Sequence, residues 1–93
     1  MKPLAFIIIT YNRPDDALEL LRNIEQLEDA DKLLQEVIIV NNASTSDYAA
    51  IESFANGVRR VPMRYIIAPG NLGVAKGRNF AIGYSSAPIL IML

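Results

Sequence analysis

The sequence predicts an α/β fold, an open parallel sheet of four strands with helices on both faces in the order β-α-β-α-β-α-β. Three observations predict it. Short apolar runs such as Leu4–Ile9 and Glu36–Val40 are rich in β-branched residues and show no polar alternation, which is how a strand buried on both faces reads. The stretches between the runs carry apolar residues at helical spacing. Strand and helix alternate three times before a last strand, and right-handed crossovers turn that order into a parallel sheet with two covered faces.

The first strand, Leu4–Ile9, ends at Thr10–Arg13. Pro14 suits the first turn of a helix, Asp15 and Asp16 suit the positive end of its dipole, and Ala17, Leu20, Leu21, Ile24 and Leu27 form its stripe, so a helix is expected from Pro14 to about Glu28. The second strand, Glu36–Val40, leads into Asn41-Asn42-Ala43-Ser44-Thr45, whose Ser and Thr can cap a helix from Asp47 to about Asn56. Ala50, Ile51 and Phe54 are its apolar stripe, and Gly57 is expected to close it in the left-handed conformation. Met63–Ala68 is the third strand, Pro69-Gly70 matches the centre of a type II turn, and a third helix runs from Gly73 to about Tyr84 with Asn71 as a capping residue. Pro88–Leu93, without a polar residue, is the fourth strand.

With 93 residues the chain is one compact unit, and 52% hydrophobic against 20% charged residues places it among chains that bury a core. A net charge of -1 gives no electrostatic reason to expect nucleic acid as a partner. The absence of Cys and His excludes disulfides, thiolate chemistry, imidazole bases and the zinc sites built from them. The apolar runs fall far short of the roughly 20 residues of a bilayer span, so the expected location is cytoplasmic, with peripheral attachment at the inner membrane left open for a longer parent.

In sheets of this class ligands bind beyond the carboxyl ends of the strands, where strand order reverses, which directs attention to Thr10–Arg13, Asn41–Thr45 and Pro69–Gly73. The first loop has no glycine, so it cannot approach a pyrophosphate as G-x-G-x-x-G does, and no P-loop motif occurs. Dehydrogenases and P-loop NTPases are excluded. In their place stand Phe6-Ile7-Ile8-Ile9-Thr10-Tyr11-Asn12-Arg13-Pro14, Val37-Ile38-Ile39-Val40-Asn41-Asn42-Ala43-Ser44-Thr45 and Asn71-Leu72-Gly73-Val74-Ala75-Lys76-Gly77-Arg78-Asn79. In this order and spacing the triple resembles the family 2 glycosyltransferases of the GT-A fold, whose N-terminal half carries a T-Y-N-R-like loop, a V-[DN]-[DN]-[GA]-S-T loop and an N-x-G-x-a-x-a-R-N helix start. The match covers essentially the whole chain and makes the fold a Rossmann-like half of a GT-A domain.

Each loop offers groups suited to a nucleotide. Thr10 brings a hydroxyl and Tyr11 a flat face on which a base can stack, a contact of about 1–3 kcal/mol. The plain alternative is a Tyr packed over the sheet edge with its hydroxyl in water. The resemblance implies a uracil or thymine there, with Asn12 in the same loop. Arg13 either pairs with phosphate oxygens or is solvated on the first helical turn. Where the family often has Asp, Asn42 can accept from the base through its amide oxygen and donate to a base carbonyl through its nitrogen. Asn41 and Ser44 also read as turn formers. Gly73 permits close backbone approach at the start of the third helix. The resemblance points Arg78 toward the donor diphosphate, the plain alternative being a solvent-facing helix cation, and Tyr11, Asn42 and Arg78 are expected to surround one hollow. Gly77, inside a helix, costs about 1 kcal/mol relative to Ala, which close packing on the sheet would offset. Lys76, Glu19, Glu25, Glu28, Asp29 and Asp31 read as solvated helix faces.

The resemblance implies a nucleotide-diphosphate sugar, UDP- or dTDP-linked, as donor and a sugar or glycan end as acceptor. In the family a strand like Pro88–Leu93 runs into an acidic D-x-D-type motif that holds Mg or Mn against the diphosphate, and no carboxylate cluster takes its place here. The expectation is therefore that residues 1–93 are the N-terminal nucleotide-sugar-binding part of a transferase domain, without metal ligands of their own, inactive alone and weak in nucleotide binding. The apolar edge at Pro88–Leu93 is expected to favour self-association. The competing reading is a stand-alone, non-enzymatic nucleotide-binding or protein-interaction module.

Overall fold

A computed structural model describes residues 2–93. Strand β1 (Leu4–Thr10) leads to helix α1 (Pro14–Gln26), a short helix α2 (Ala30–Leu33) and strand β2 (Leu34–Asn41). Helix α3 (Ala49–Asn56), strand β3 (Met63–Ile67), helix α4 (Gly73–Ile82) and strand β4 (Ile89–Met92) follow. The sheet is parallel throughout, in the order β3-β2-β1-β4.

Both faces are covered, which explains the continuous apolar runs. Ile8, Val37 and Ile39 pack with Leu21 and Ile24 of α1 and Ile51 of α3, whereas Ile7, Ile38 and Val40 pack with Ala81 of α4 on the opposite face. Each such fully buried aliphatic side chain contributes roughly 1.5–3 kcal/mol relative to exposure. The crossovers through α1 and α3 step away from β1 in one direction, and the crossover through α4 returns to its other side. The order therefore reverses between β1 and β4, which places the ligand crevice of this fold class at the end of β1.

The alternation expected from the sequence is present, with shifted boundaries. Helix α1 stops at Gln26 because Leu27 is extended, and Asp29, left-handed at φ 63°, starts the unforeseen α2. Four residues are too few to leave a periodic signal. Helix α3 begins at Ala49, and its first turn is tied by Asp47, whose Oδ1 accepts from Ala49 N at 2.8 Å, rather than by Ser44 or Thr45. Gly57 is not left-handed but extended, at φ -74° and ψ 175°. Arg59 serves that helix end instead, donating from Nε to Phe54 O at 2.9 Å with its guanidinium 3.7 Å from the Phe54 ring centroid. The type II turn at Pro69-Gly70 is also corrected, because the positive φ such a turn needs at Gly70 occurs at Gly73, at 73°.

Two acidic residues expected to be solvated act as ties. Glu25 accepts from Arg60 N at 2.8 Å and from Val61 N at 3.1 Å, and Arg60 donates to Glu25 O at 2.7 Å and to Asp31 Oδ1 at 2.9 Å. This clamp pins the loop before β3 to the end of α1. The hydrogen bond from Arg60 holds the Asp31 carboxyl below its ordinary value.

Strand β4 turns Leu90 and Met92 toward the α4 face and leaves Ile89 and Ile91 exposed, and among the described residues no strand pairs with its outer edge. No helix among these residues is long and apolar enough to cross a membrane.

Candidate functional site

The end of β1 turns sharply through Asn12, a left-handed residue at φ 52°, and leaves the Tyr11 side chain in solvent at 47% exposure. The loop is tied behind that ring. Thr10 Oγ1 lies 2.7 Å from the hydroxyl of buried Tyr48, and the same hydroxyl accepts from Arg13 N at 3.0 Å. Asn12 faces the protein: its N–H donates to Ser44 Oγ at 2.9 Å, and its Oδ1 accepts from Thr45 N at 2.8 Å and Ser46 N at 3.0 Å.

The second loop is equally committed inward. Asn41 donates through Nδ2 to Tyr65 Oη at 2.8 Å and accepts from Ser44 N at 2.9 Å, so its amide shapes the turn and holds it to β3. Asn42, only 4% exposed, accepts from Leu72 N at 2.9 Å and donates through Nδ2 to Asn71 Oδ1 at 3.2 Å and Gly73 O at 3.3 Å. Both amide hydrogens are thus taken, and the expectation that Asn42 donates to a base carbonyl is corrected: its nitrogen holds the second loop to the third.

In the third loop Asn71 Oδ1 accepts from Gly73 N at 3.0 Å, a cap on the first helical residue. Glycine is required at position 73 by its positive φ and not by crowding, since a Cβ there would meet no protein atom within 4 Å. At Gly77 the reverse holds. A Cβ would lie 3.3 Å from Ile9 Cγ2, so glycine lets α4 sit close on β1. Arg78 is exposed on α4 and forms no ion pair among the described residues.

A groove of about 180 Å³ opens at the point of strand reversal. Ile8, Ile9, Thr10 and Tyr11 form one wall, Arg13 and Asp16 with the first turns of α1 another, and Leu93 closes it on the β4 side. Asn42 and Arg78 do not line it. Of Tyr11, Asn42 and Arg78, expected around a single hollow, the groove is lined by Tyr11 alone, and the Asn42 amide is spent on the third loop. Arg13 stands 3.6 Å from Asp16, but with the two side chains 78% and 73% exposed this pair is weak, and the guanidinium is available to another anion.

Sequence reasoning missed Tyr48 and Tyr65, whose rings stack at 6.5 Å and 19° and whose hydroxyls hold the first and second loops. A tyrosine beside a polar loop in a chain with many apolar neighbours carries one usable signal, that its hydroxyl needs a partner once the ring is buried. Among the described residues no group of three or more His, Cys, Asp or Glu side chains is placed to hold a metal ion.

The family model described as "Glycosyl transferase family 2" matches residues 5–93. No curated protein matches the chain. Among solved structures, it is similar to S. aureus TarS 1-349, with a TM-score of 0.82 at 23% identity over 100% of this chain and 27% of that one. Similar matches are S. aureus TarS 1-349 in complex with UDP-GlcNAc, at TM-score 0.80, 24% identity, 100% of this chain and 26% of that one, and the same protein in complex with UDP, at 0.76, 22%, 100% and 27%. The chain thus spans about a quarter of the length of the chains it matches, and at this identity the likeness is one of fold.

Proposed function

The chain belongs to glycosyl transferase family 2, and from that premise we propose that its three-loop end seats the nucleotide of a UDP- or dTDP-linked sugar donor. The observation that carries this reading is the groove at the strand reversal, where the exposed Tyr11 ring stands beside Thr10 and Arg13 at the end of β1. A pyrimidine base stacks on Tyr11 in the groove and Arg13 faces the diphosphate, with Arg78 on α4, outside the groove's lining, reached only by a diphosphate that extends beyond it. The amide network keeps the loops in place rather than reading the base. The TarS structures with UDP and UDP-GlcNAc support a uridine donor by likeness of fold. The sugar goes to a glycan or other acceptor in the whole transferase, and the carboxylates for a divalent cation come from residues outside these.

Calorimetric titration tests the reading. The chain is expected to bind UDP and dTDP and to prefer them to ADP. Tyr11→Ala weakens UDP about tenfold, the low end of a stacking contribution of about 1–3 kcal/mol. Arg78→Ala weakens UDP more than uridine, because only the former carries the diphosphate. Unchanged UDP affinity in both variants overturns the proposed site.

A further inference from the structure

We infer that Tyr48 is a positioning residue for the nucleotide: its buried hydroxyl fixes the loop that presents the Tyr11 ring. The inference rests on the nucleotide-site reading above. One oxygen serves both ends of the loop, since Thr10 Oγ1 is 2.7 Å away on one side of Tyr11 and Asn12, and Arg13 N donates to it at 3.0 Å on the other. Because the Arg13 N–H donates, the phenol accepts there and its own hydrogen is free for Thr10 Oγ1. The two-residue span carrying the ring is thus held at both flanks from a single point, 38 residues away from Thr10 in the chain.

That point is itself held by packing. Tyr48 is buried, and its ring stacks on Tyr65, whose hydroxyl accepts from Asn41 Nδ2 at 2.8 Å. The tie matters because the chain reverses between the two flanks at Asn12, a residue type that takes the left-handed conformation readily, so the aim of the Tyr11 ring depends on how the flanks are held. Asn12 gains contacts from Ser44, Thr45 and Ser46, and the flanks have backbone bonds of their own, Asn42 N to Thr10 O at 2.9 Å and Ala17 N to Arg13 O at 3.1 Å, but only the Tyr48 hydroxyl meets both flanks at one atom. Removing the hydroxyl takes away the one tie shared by Thr10 Oγ1 and Arg13 N, which loosens the Tyr11 turn while the Tyr48 ring stays packed.

Tyr48→Phe removes that oxygen alone, and Thr10→Val removes one of its partners from the other side, which guards against a variant that fails to fold. Calorimetry is done well below each melting temperature with UDP, uridine and inorganic pyrophosphate as probes. The expected result is a loss of about fivefold to tenfold for UDP and for uridine in Tyr48→Phe, and a smaller loss for pyrophosphate, which meets the loop only through the Arg13 side chain. Thr10→Val shows a smaller loss of the same pattern, and the double variant is no weaker than Tyr48→Phe. Amide exchange at Arg13 accelerates in Tyr48→Phe. A lowered melting temperature with unchanged UDP and uridine affinity overturns the inference and leaves the site reading intact. Failure of the unaltered chain to bind UDP overturns both, whatever the Arg13 amide does.

Discussion

The two ends of the sheet hold their loops by opposite chemistry. At the carboxyl end, Thr10, Asn12, Asn41, Asn42, Ser44, Tyr48, Tyr65 and Asn71 tie three loops together through neutral amides and hydroxyls. At the amino end, the loop entering β3 is held by charge, through Glu25, Arg60 and Asp31, and Arg64 lies 3.6 Å from Glu36 nearby. The difference fits the nucleotide proposed at the carboxyl end. A brace built from carboxylates around a diphosphate site would repel the ligand, whereas amides and hydroxyls stiffen the same loops without a net field. Asp16, the carboxylate in the groove, stands against Arg13. At the amino end, where no anion is proposed, charge is used freely.

If the neutral lattice is the stiffer of the two, its central amide should be the most sensitive point. Asn41→Ala leaves the half-buried Ser44 amide and Tyr65 hydroxyl without partners, and a buried polar group left unpaired costs about 1–3 kcal/mol, less where water reaches it. A loss of about 2 kcal/mol in urea denaturation is expected, independent of salt. A loss under about 0.5 kcal/mol would show that water replaces the amide and would remove the contrast.

The charged clamp should respond less, and differently. Glu25→Ala strands the Val61 amide and releases Arg60, with an expected loss of about 1–2 kcal/mol at low salt. That loss shrinks toward 1 M salt, where the Debye length falls to about 3 Å. Acid acts on the same end. The hydrogen bond from Arg60 depresses the Asp31 carboxyl below the ordinary carboxylate range, so its contribution is present above that range and fades as pH falls through the lower folded value. Asp31→Asn should remove this part of the acid response, and a clamp indifferent to both salt and acid would refute the charged half of the comparison.

The fold was legible because covered faces leave continuous apolar runs, as in Val37–Val40, and because Pro14 and the stripe from Ala17 to Ile24 set a helix in register with them. The positions of the site loops were legible for the same reason, since they follow strand ends. What each polar residue does there was not. Asn42 and Tyr11 look equally suited to a base in the sequence, yet one amide spends both hydrogens on the next loop while the ring stands in solvent. That choice depends on which loops become neighbours, information carried by strand order and not by spacing. The Glu25 clamp was illegible in the same way, because Arg60 lies 35 residues further on. Gly57 misled because the signal for a left-handed cap is local, and Arg59 two residues later does that work from outside the helix.

The smallest expected effect concerns backbone strain. Left-handed residues occur at both ends, Asn12, Ala43 and Gly73 near the site and Asp29 away from it, but Ala43 at φ 60° has neither the short polar side chain nor the missing Cβ that makes this conformation easy. Its geometry is imposed by its neighbours: Asn42 N donates to Thr10 O, Ala43 N to Asn41 O and Ser44 N to Asn41 Oδ1, all at 2.9 Å. Ala43→Gly removes roughly 1 kcal/mol of strain and returns about half of it as entropy of the unfolded chain, for a net gain near 0.5 kcal/mol. If the hydrogen bonds alone define the loop, UDP affinity is unchanged while stability rises. If affinity falls as stability rises, the methyl group is restricting the loop in a way the bonds do not, and the neutral lattice is a looser brace than its many partners suggest.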